Sequence, residues 1–258
     1  KVLAGMAKRP LLLIDDELRL SLAGAQNKLP LYYDGKQLSL PRGSAPSSHI
    51  LKPGGGFGHM PANEHFCMRL ADALGLPVPA SWILRKAEPL YLVERYDRAR
   101  ARDGALTRIH QIDFCQALNL PSQKKYEHEG GPSLALCFEV IKKFSSQPAK
   151  DRLNLISWTI FNYLVGNADA HAKNLSLLIT REGVALAPFY DLVSTAAYRE
   201  LTEKLALKIG GENRPEWIQK RHWDGLAEIS DTNPRIVWLQ IEKLAGANKK
   251  QEELLHFV

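Results

Sequence analysis

The run Gly166–Asn174 combines an aspartate, a histidine, a lysine and an asparagine directly after a strongly apolar segment. Asp169 and Asn174 stand five positions apart, and a second aspartate, Asp191, follows further along the chain. A carboxylate can orient an attacking hydroxyl group and accept its proton, whereas amide and carboxylate oxygens are ligands that Mg²⁺ prefers. The order therefore indicates phosphoryl transfer, with Asp169 as the base and Asn174 and Asp191 as metal ligands.

Protein kinases place their catalytic aspartate and a metal-binding asparagine in one loop at this same spacing. The alternative is structural, because Asp and Asn are also common turn and cap residues between a helix and a strand. Two further side chains of the loop are candidate catalytic residues. Lys173 can neutralise the transferred phosphoryl group, and His171 can instead brace the loop through backbone hydrogen bonds.

Lys52 is the candidate cation for the nucleotide phosphates. It ends the short extended run His49–Lys52 in the first half of the chain, where a kinase places such a lysine. Glu64, at the start of the next predicted helix, is its candidate ion-pair partner. The alternative is an ordinary exposed lysine at the end of a strand.

The small residues of Ser21–Lys28 join two predicted strands. Backbone amides of such a segment can cover phosphates, and the candidates are Ser21, Ala23, Gly24 and Ala25. The spacing by itself is a weak signal, because the segment matches neither GxGxxG nor GxxxxGKS/T.

The end of the predicted strand Leu90–Tyr96 is a further candidate nucleotide contact. Backbone groups of Glu94 and Tyr96 can bind adenine, and Asp97 can reach a ribose hydroxyl group. The alternative is a plain strand end that leads into the charged loop Arg98–Arg102.

Hydrophobic periodicity predicts a β-rich first part and a helical second part. The predicted strands are Leu18–Ala23, Lys28–Tyr33, Gln37–Pro41, His49–Lys52 and Leu90–Tyr96, with a later hairpin of Leu175–Ile179 and Val184–Leu186. The predicted helices are Asn63–Leu74, Gln111–Leu120, Ser133–Phe144, Asp151–Leu164 and Asn233–Ala247, with Asn63 and Asp151 as caps. We therefore predict an α+β, two-lobed, protein-kinase-like fold, with a β-rich nucleotide-covering lobe over residues 1–104 and a mainly helical catalytic lobe over residues 105–258.

The composition is that of an ordinary folded protein, with 45% hydrophobic and 24% charged residues among 258. The net charge of +6 is scattered, and it suits either anionic partners such as nucleotides or a plain solvated surface. The three cysteines form no CxxC pair, so neither a zinc site nor a disulfide framework is indicated, and a reducing, cytoplasmic setting fits best. No apolar run approaches the roughly 18 residues of a membrane span, so no membrane partner is expected.

Together these segments resemble the HipA family of bacterial serine/threonine kinases, the toxins of type II toxin–antitoxin modules. The matching segments occur in order along most of the chain and are Ser21–Lys28, His49–Pro53, Asn63–Pro79, Val93–Arg98, Gln111–Glu127, Gly130–Pro132, Gly166–Asn174 and Pro188–Asp191.

The resemblance implies a two-lobed fold that binds ATP and Mg²⁺ between its lobes. It implies Asp169 as the catalytic base, Asn174 and Asp191 as metal ligands, and Lys52 at the ATP phosphates. It also implies backbone contacts of Glu94 and Tyr96 to adenine and places Asp97 near the ribose. Ser21 is the position that family members autophosphorylate, which ejects the phosphate-binding loop and silences the kinase.

Family substrates are aminoacyl-tRNA synthetases, notably glutamyl-tRNA synthetase, whose phosphorylation lowers translation and promotes persistence. The usual partner is a HipB-type DNA-binding antitoxin, so contact with DNA is expected through the antitoxin. Typical members carry a further amino-terminal subdomain, whereas about twenty residues precede Ser21 here. The expectation is either a truncated chain or a separate amino-terminal subdomain protein.

Two other functions are compatible with the same residues. A small-molecule phosphotransferase can share the Asp, Asn and Asp chemistry, since one fold and site can serve several acceptors. A catalytically silent corepressor that acts with a DNA-bound antitoxin would suit the mild positive charge and the short amino-terminal region.

Overall fold

The computed structural model describes residues 28–54, 57–85, 88–102 and 104–246. The described residues divide into two compact units, the first containing residues 28–65 together with Pro79–Arg108, and the second containing Phe66–Val78 together with residues 109–246. The boundary predicted at residue 104 stays a prediction. The predicted strand Leu18–Ala23 and the phosphate-loop candidates Ser21, Ala23, Gly24 and Ala25 lie outside the described residues.

The first unit is built on a five-stranded antiparallel sheet with the spatial order β2-β1-β3-β5-β4. Its strands are β1 (Leu29–Tyr33), β2 (Leu38–Ser39), β3 (His49–Pro53), β4 (Ser81–Leu84) and β5 (Leu90–Glu94). A ribbon of two short strands, β6 (Arg98–Arg100) and β7 (Leu106–Arg108), follows β5.

Alternate leucines give the sheet its buried face. Leu29 and Leu31 of β1 pack with Leu51 of β3 and with Leu90 and Leu92 of β5 in one hydrophobic cluster. Leu51 stands opposite both Leu29 and Leu92, which makes β3 the central strand. Because successive side chains of a strand point to opposite faces, Lys52, which follows Leu51, is directed away from this cluster.

The second unit combines a small antiparallel sheet with helices. The sheet has the order β10-β9-β8, formed by β8 (His110–Asp113), β9 (Ser176–Thr180) and β10 (Gly183–Leu186). The helices are the second half of α1 (Met60–Ala73), then α2 (Phe114–Ala117), α3 (Leu134–Phe144), α4 (Pro148–Leu164), α5 (Lys220–Ile229) and α6 (Pro234–Ala245). In the described part of the chain, no helix has the length and apolar character that crossing a membrane requires. The predicted mixed α+β class is confirmed.

The helix predicted over Gln111–Leu120 is wrong in its first part. This segment begins with β8, which pairs with β9 so that Ile112 stands opposite Leu177. A helix of a single turn, α2, follows and is capped by Asp113, whose carboxylate accepts a hydrogen bond of 2.8 Å from the Gln116 amide. Pairing with a strand more than sixty residues away outweighs the local helical spacing.

Two other helices begin earlier than predicted. Helix α1 begins at Met60, and the amide of Asn63 donates to the His59 carbonyl at 3.0 Å. Helix α4 begins at Pro148, where proline is favoured because the first helical N–H needs no partner within the helix. Asn63 and Asp151 therefore lie inside their helices and do not cap them.

Asp151 instead ties the start of α4 to β10. Its buried carboxylate accepts hydrogen bonds from the Ser145 hydroxyl at 2.7 Å and from the Leu186 amide at 2.8 Å. A buried carboxylate is favourable while its oxygens are hydrogen-bonded, so both contacts matter for stability. The placement of α4 matters for the site because this helix leads directly into Gly166–Asn174.

We expect Asp151→Ala to lower the free energy of unfolding by about 2–3 kcal/mol, because the Leu186 amide loses its acceptor. Urea unfolding followed by circular dichroism measures this change. Asp72→Ala is the matched control, since Asp72 also lies in a helix but its side chain is 57% exposed. Equal unfolding midpoints for the two variants would contradict the role assigned to Asp151.

Candidate active site

A tight turn after α4 begins the loop that carries Asp169. Gly166 has a φ of +65°, and a Cβ atom at this position would lie 2.6 Å from the Cβ atom of Ala196. Both the backbone angle and the close approach therefore require glycine here. The Gly166 carbonyl accepts hydrogen bonds from the Thr195 hydroxyl at 2.9 Å and from the Ala196 amide at 3.0 Å.

Two buried polar side chains hold the next part of the loop. Thr195 Oγ1 accepts a hydrogen bond of 2.7 Å from the Ala168 amide. Asn167 donates to Asn162 Oδ1 at 2.7 Å and accepts from the Asp169 amide at 3.1 Å. The Ala168 amide is thus held by a side chain from elsewhere in the second unit, and the Asp169 amide by the neighbouring Asn167, which is itself bonded to α4.

The Asp169 side chain leaves this rigid backbone and remains 52% exposed. Its Oδ1 atom accepts a hydrogen bond of 2.6 Å from the Tyr126 hydroxyl group, and His171 Nε2 lies 3.9 Å from the same oxygen. An accessible carboxylate in a fixed position is what a general base requires. Sequence reasoning gave Tyr126 no role, because nothing in a spacing of 43 residues signals this contact.

His171 is buried and takes part in the backbone hydrogen bonds of the loop. Its amide donates to the Asp169 carbonyl, and its carbonyl accepts from the Asn174 amide, both at 2.9 Å. Burial lowers the pKa of His171, and it outweighs the nearby carboxylates of Asp169 and Asp191, which favour the charged form. The imidazole is therefore neutral at pH 7 and suited to support rather than to charge stabilisation.

Asn174 lies in a 3₁₀ turn over Ala172–Asn174 and is only 7% exposed. Its Oδ1 atom has no hydrogen-bond partner among the residues that the structure describes. Buried polar atoms are nearly always paired, so this side-chain oxygen is available to an external ligand such as a cation.

The segment that carries Asp191 is tied to the same loop. The Tyr190 hydroxyl donates to the Lys173 carbonyl at 2.6 Å and lies 3.0 Å from Ser176 Oγ. The Phe189 amide donates to the Pro77 carbonyl at 2.7 Å. Asp191 itself has a φ of +54°, a conformation that few residues other than glycine adopt, although asparagine, aspartate and histidine adopt it more often than the rest.

Asn174 and Asp191 carry the types of oxygen donor that a phosphate-bound magnesium ion takes from a protein. The described residues contain no group of three or more His, Cys, Asp or Glu side chains arranged to hold a metal. Mg²⁺ usually takes one or two protein oxygens and completes its shell with water and nucleotide phosphates. One carboxylate and one unpaired amide oxygen match this mode of binding.

Lys52 of the first unit is a buried cation and not an exposed strand-end lysine. It follows Leu51 in β3, and its Nζ atom lies 2.6 Å from Glu64 Oε1 of α1, with the two side chains 7% and 3% exposed. The predicted pairing with Glu64 is confirmed. Nζ also lies 5.6 Å from the centre of the Tyr91 ring. A buried pair of this kind fixes the cation in one place.

Asp97, the candidate ribose contact, is clamped by two arginines of the first unit. Arg95 donates to both of its carboxylate oxygens, at 2.9 and 2.7 Å, and an Arg98 nitrogen lies 2.8 Å from Oδ2. The Glu94 amide donates to the Ala80 carbonyl at 2.9 Å. The nucleotide contacts of Glu94, Tyr96 and Asp97 stay predictions.

Comparison with solved structures defines the class of fold. The proinflammatory kinase CtkA of Helicobacter pylori aligns with 93% of this chain and 94% of its own chain, at a TM-score of 0.54 and 15% identity. At this identity the likeness concerns the fold alone. The HipA chain in a Shewanella oneidensis complex of HipA, HipB and operator DNA aligns with the whole chain at a TM-score of 0.87 and 30% identity.

Residues 20–251 match the family model of the HipA-like C-terminal domain, and the chain belongs to this family. Y4mE of Sinorhizobium fredii, which carries a provisional kinase name, is 49% identical over 249 residues. The serine/threonine-protein kinase toxin HipA of Shewanella oneidensis is 36% identical over 222 residues. These matches cover 96% and 81% of this chain but 59% and 51% of the two relatives, so the chain spans little more than half their length.

The clamp on Asp97 predicts a dependence of stability on pH. Burial opposes ionisation of Asp97, but Arg95 and Arg98 outweigh it and hold the pKa of this carboxyl below its usual value. The folded pKa thus lies below the unfolded value of about 3.9, so the stabilisation is present above that pH and is lost as the pH falls through the folded pKa.

We expect Asp97→Asn to be less stable than the wild type by about 2 kcal/mol at pH 7, with a difference that narrows below about pH 4. Urea unfolding at a series of pH values measures the difference. Asp72→Asn serves as the exposed control and is expected to track the wild type throughout. A difference for Asp97→Asn that stays constant with pH would contradict the clamp.

Proposed function

We propose that this chain is the kinase core of a HipA-type serine/threonine protein kinase, which transfers the γ-phosphoryl group of ATP to a protein hydroxyl in the presence of Mg²⁺. The observation that carries the proposal is that one loop holds both the accessible Asp169 carboxylate and the buried Asn174 Oδ1 atom, which has no hydrogen-bond partner among the described residues. Family membership and the kinase names of the relatives support it.

Each candidate residue has a defined task in this function. Asp169 orients the acceptor hydroxyl and takes its proton. Asn174 and Asp191 hold Mg²⁺, which when bound neutralises phosphate charge. Lys173 adds positive charge at the transferred group, and Lys52, fixed by its ion pair, contacts the phosphates of ATP.

The biological role proposed is that of the toxin of a type II toxin–antitoxin system. The substrate class is an aminoacyl-tRNA synthetase, with glutamyl-tRNA synthetase as the first candidate, and its inhibition would lower translation in the cytoplasm and promote persistence. A HipB-type antitoxin is the proposed partner, with DNA bound through the antitoxin. The Shewanella relative, named a kinase toxin and solved with HipB and operator DNA, supports this proposal.

Asp169→Asn tests the base directly. We expect it to lower phosphoryl transfer by about 10²–10⁴-fold, because the amide cannot accept the hydroxyl proton. The assay uses labelled ATP, Mg²⁺ and a panel of purified aminoacyl-tRNA synthetases, with Asp72→Asn as the exposed control and chelation of Mg²⁺ as a second control.

The same assay separates the alternatives. If the wild type transfers the phosphoryl group to low-molecular-weight hydroxyl compounds and to no protein, the function is that of a small-molecule phosphotransferase and not of a protein kinase. ATP binding without any transfer, together with retention on an antitoxin–operator complex, would indicate a silent corepressor instead. Undiminished transfer by Asp169→Asn would remove the proposed base.

Autophosphorylation at Ser21 gives a separate prediction. We expect intact-mass analysis after incubation with ATP and Mg²⁺ to show one added phosphoryl group on the wild type and none on Ser21→Ala, with activity falling as the group accumulates. Ser44→Ala, at an exposed loop position, is the control and should still gain the group. An active wild type that remains unmodified at Ser21 would contradict this regulation.

A further inference from the structure

The Tyr126 phenol approaches Asp169 from a segment that is itself firmly held. The neighbouring Glu127 donates its amide to the Ala206 carbonyl at 3.2 Å, and its carboxylate accepts from the Lys208 amide at 2.7 Å. The Gly131 amide donates to the Tyr126 carbonyl at 2.9 Å, and a Cβ atom at Gly131 would lie 2.6 Å from that oxygen. The peptide that joins Tyr126 to Glu127 is therefore anchored through both its carbonyl and its amide.

The Tyr126 ring is also held in place. It packs edge-on against the buried His171 ring, with centroids 5.3 Å apart and planes at 72°, a favourable arrangement for aromatic rings. The ammonium group of Lys125 lies 4.6 Å from the ring centre. Burial and the hydrogen bond to Asp169 raise the pKa of Tyr126 well above its usual value, so the phenol keeps its proton throughout the neutral range.

The geometry leaves the two oxygens of the carboxylate in different states. Oδ1 is occupied by the Tyr126 hydroxyl at 2.6 Å, whereas Oδ2 has no hydrogen-bond donor among the described residues. We propose that Tyr126 is a positioning residue, whose hydrogen bond fixes the Asp169 carboxylate so that Oδ2 is presented to the acceptor hydroxyl. This inference rests on the proposed function, since it assumes that Asp169 is the base.

A fixed donor on one oxygen is useful because a freely rotating carboxylate must be ordered in each catalytic cycle. Preorganised groups avoid that cost, and misplacement of a base lowers the rate steeply. Tyr126 is itself neutral and anchored, so it can orient the carboxylate without taking the proton that Asp169 must accept.

The test compares Tyr126→Phe with Tyr163→Phe in the phosphoryl-transfer assay. Tyr163 belongs to the same unit, packs edge-on against Trp223, and its hydroxyl donates to the Pro215 carbonyl at 3.4 Å. We expect Tyr126→Phe to lower kcat by about 10- to 100-fold with the KM for ATP unchanged, and Tyr163→Phe to leave both constants near the wild-type values.

A pH profile distinguishes positioning from packing. Replacement of Tyr126 by 3,5-difluorotyrosine keeps the ring and the donor but lowers the phenol pKa. The expected kcat is close to wild type at low pH and falls towards that of Tyr126→Phe as the fluorinated phenol ionises. Three results would each overturn the proposal: a kcat for Tyr126→Phe equal to that of Tyr163→Phe, a kcat for Tyr126→Phe above wild type, or a wild-type kcat for the fluorinated protein at pH values where its absorbance shows the phenol ionised.

An absorbance titration of the fluorinated phenol tests the hydrogen bond between Tyr126 and Asp169 independently of activity. The fluorinated phenol should titrate at a lower pH in Asp169→Asn than with Asp169 present, because the charged acceptor stabilises the protonated phenol. A wild type without phosphoryl transfer would overturn the proposed function alone. Identical titrations of the two proteins would overturn the Tyr126–Asp169 bond on which the positioning role depends.

Discussion

The hydroxyl group of Thr195 is the contact on which the arrangement of the candidate site depends. It donates to the Gly166 carbonyl and accepts from the Ala168 amide, so a single oxygen bridges both sides of the turn that leads to Asp169. Gly166 permits the turn, and Thr195 keeps it in one conformation. Because Thr195 lies a few residues after Asp191, the same contact brings the segment of the second metal-ligand candidate to the loop of the base.

Most of the buried charged groups discussed above have partners, whereas a few buried polar atoms of the described residues, Trp158 Nε1 and His171 Nδ1 among them, have none. Asp151, Asp97 and the Lys52–Glu64 pair have their charges matched by hydrogen bonds or by opposite charges, as burial requires. The Oδ1 atom of Asn174 has no such partner within the described part of the chain. This oxygen lies in the candidate site, where a bound cation would supply the partner.

Local patterns predicted much of the fold. Strands β1 and β5 carry alternating leucines, and the hairpin of β9 and β10 surrounds a glycine turn, so local patterns were sufficient to predict these elements. Residues 111–113 were misassigned because their structure is decided by pairing with β9, which no window of neighbouring residues contains. Helices α1 and α4 begin before their predicted caps, Asn63 and Asp151. Proline and loop geometry at the true helix starts outweigh the capping propensity of these two polar residues.

The sequence by itself predicted Asp169 as the base and Asn174 and Asp191 as metal ligands. Their chemistry depends on residue type and on short spacings that a single loop and hairpin preserve. The sequence also predicted Lys52 and its partner Glu64, which lie twelve residues apart on adjacent elements. Tertiary structure alone decided that Tyr126 and Thr195 contact the loop, across 43 and 27 residues of chain. Such contacts arise when separate elements pack together. They produce no periodic pattern in the amino-acid sequence from which they could be predicted.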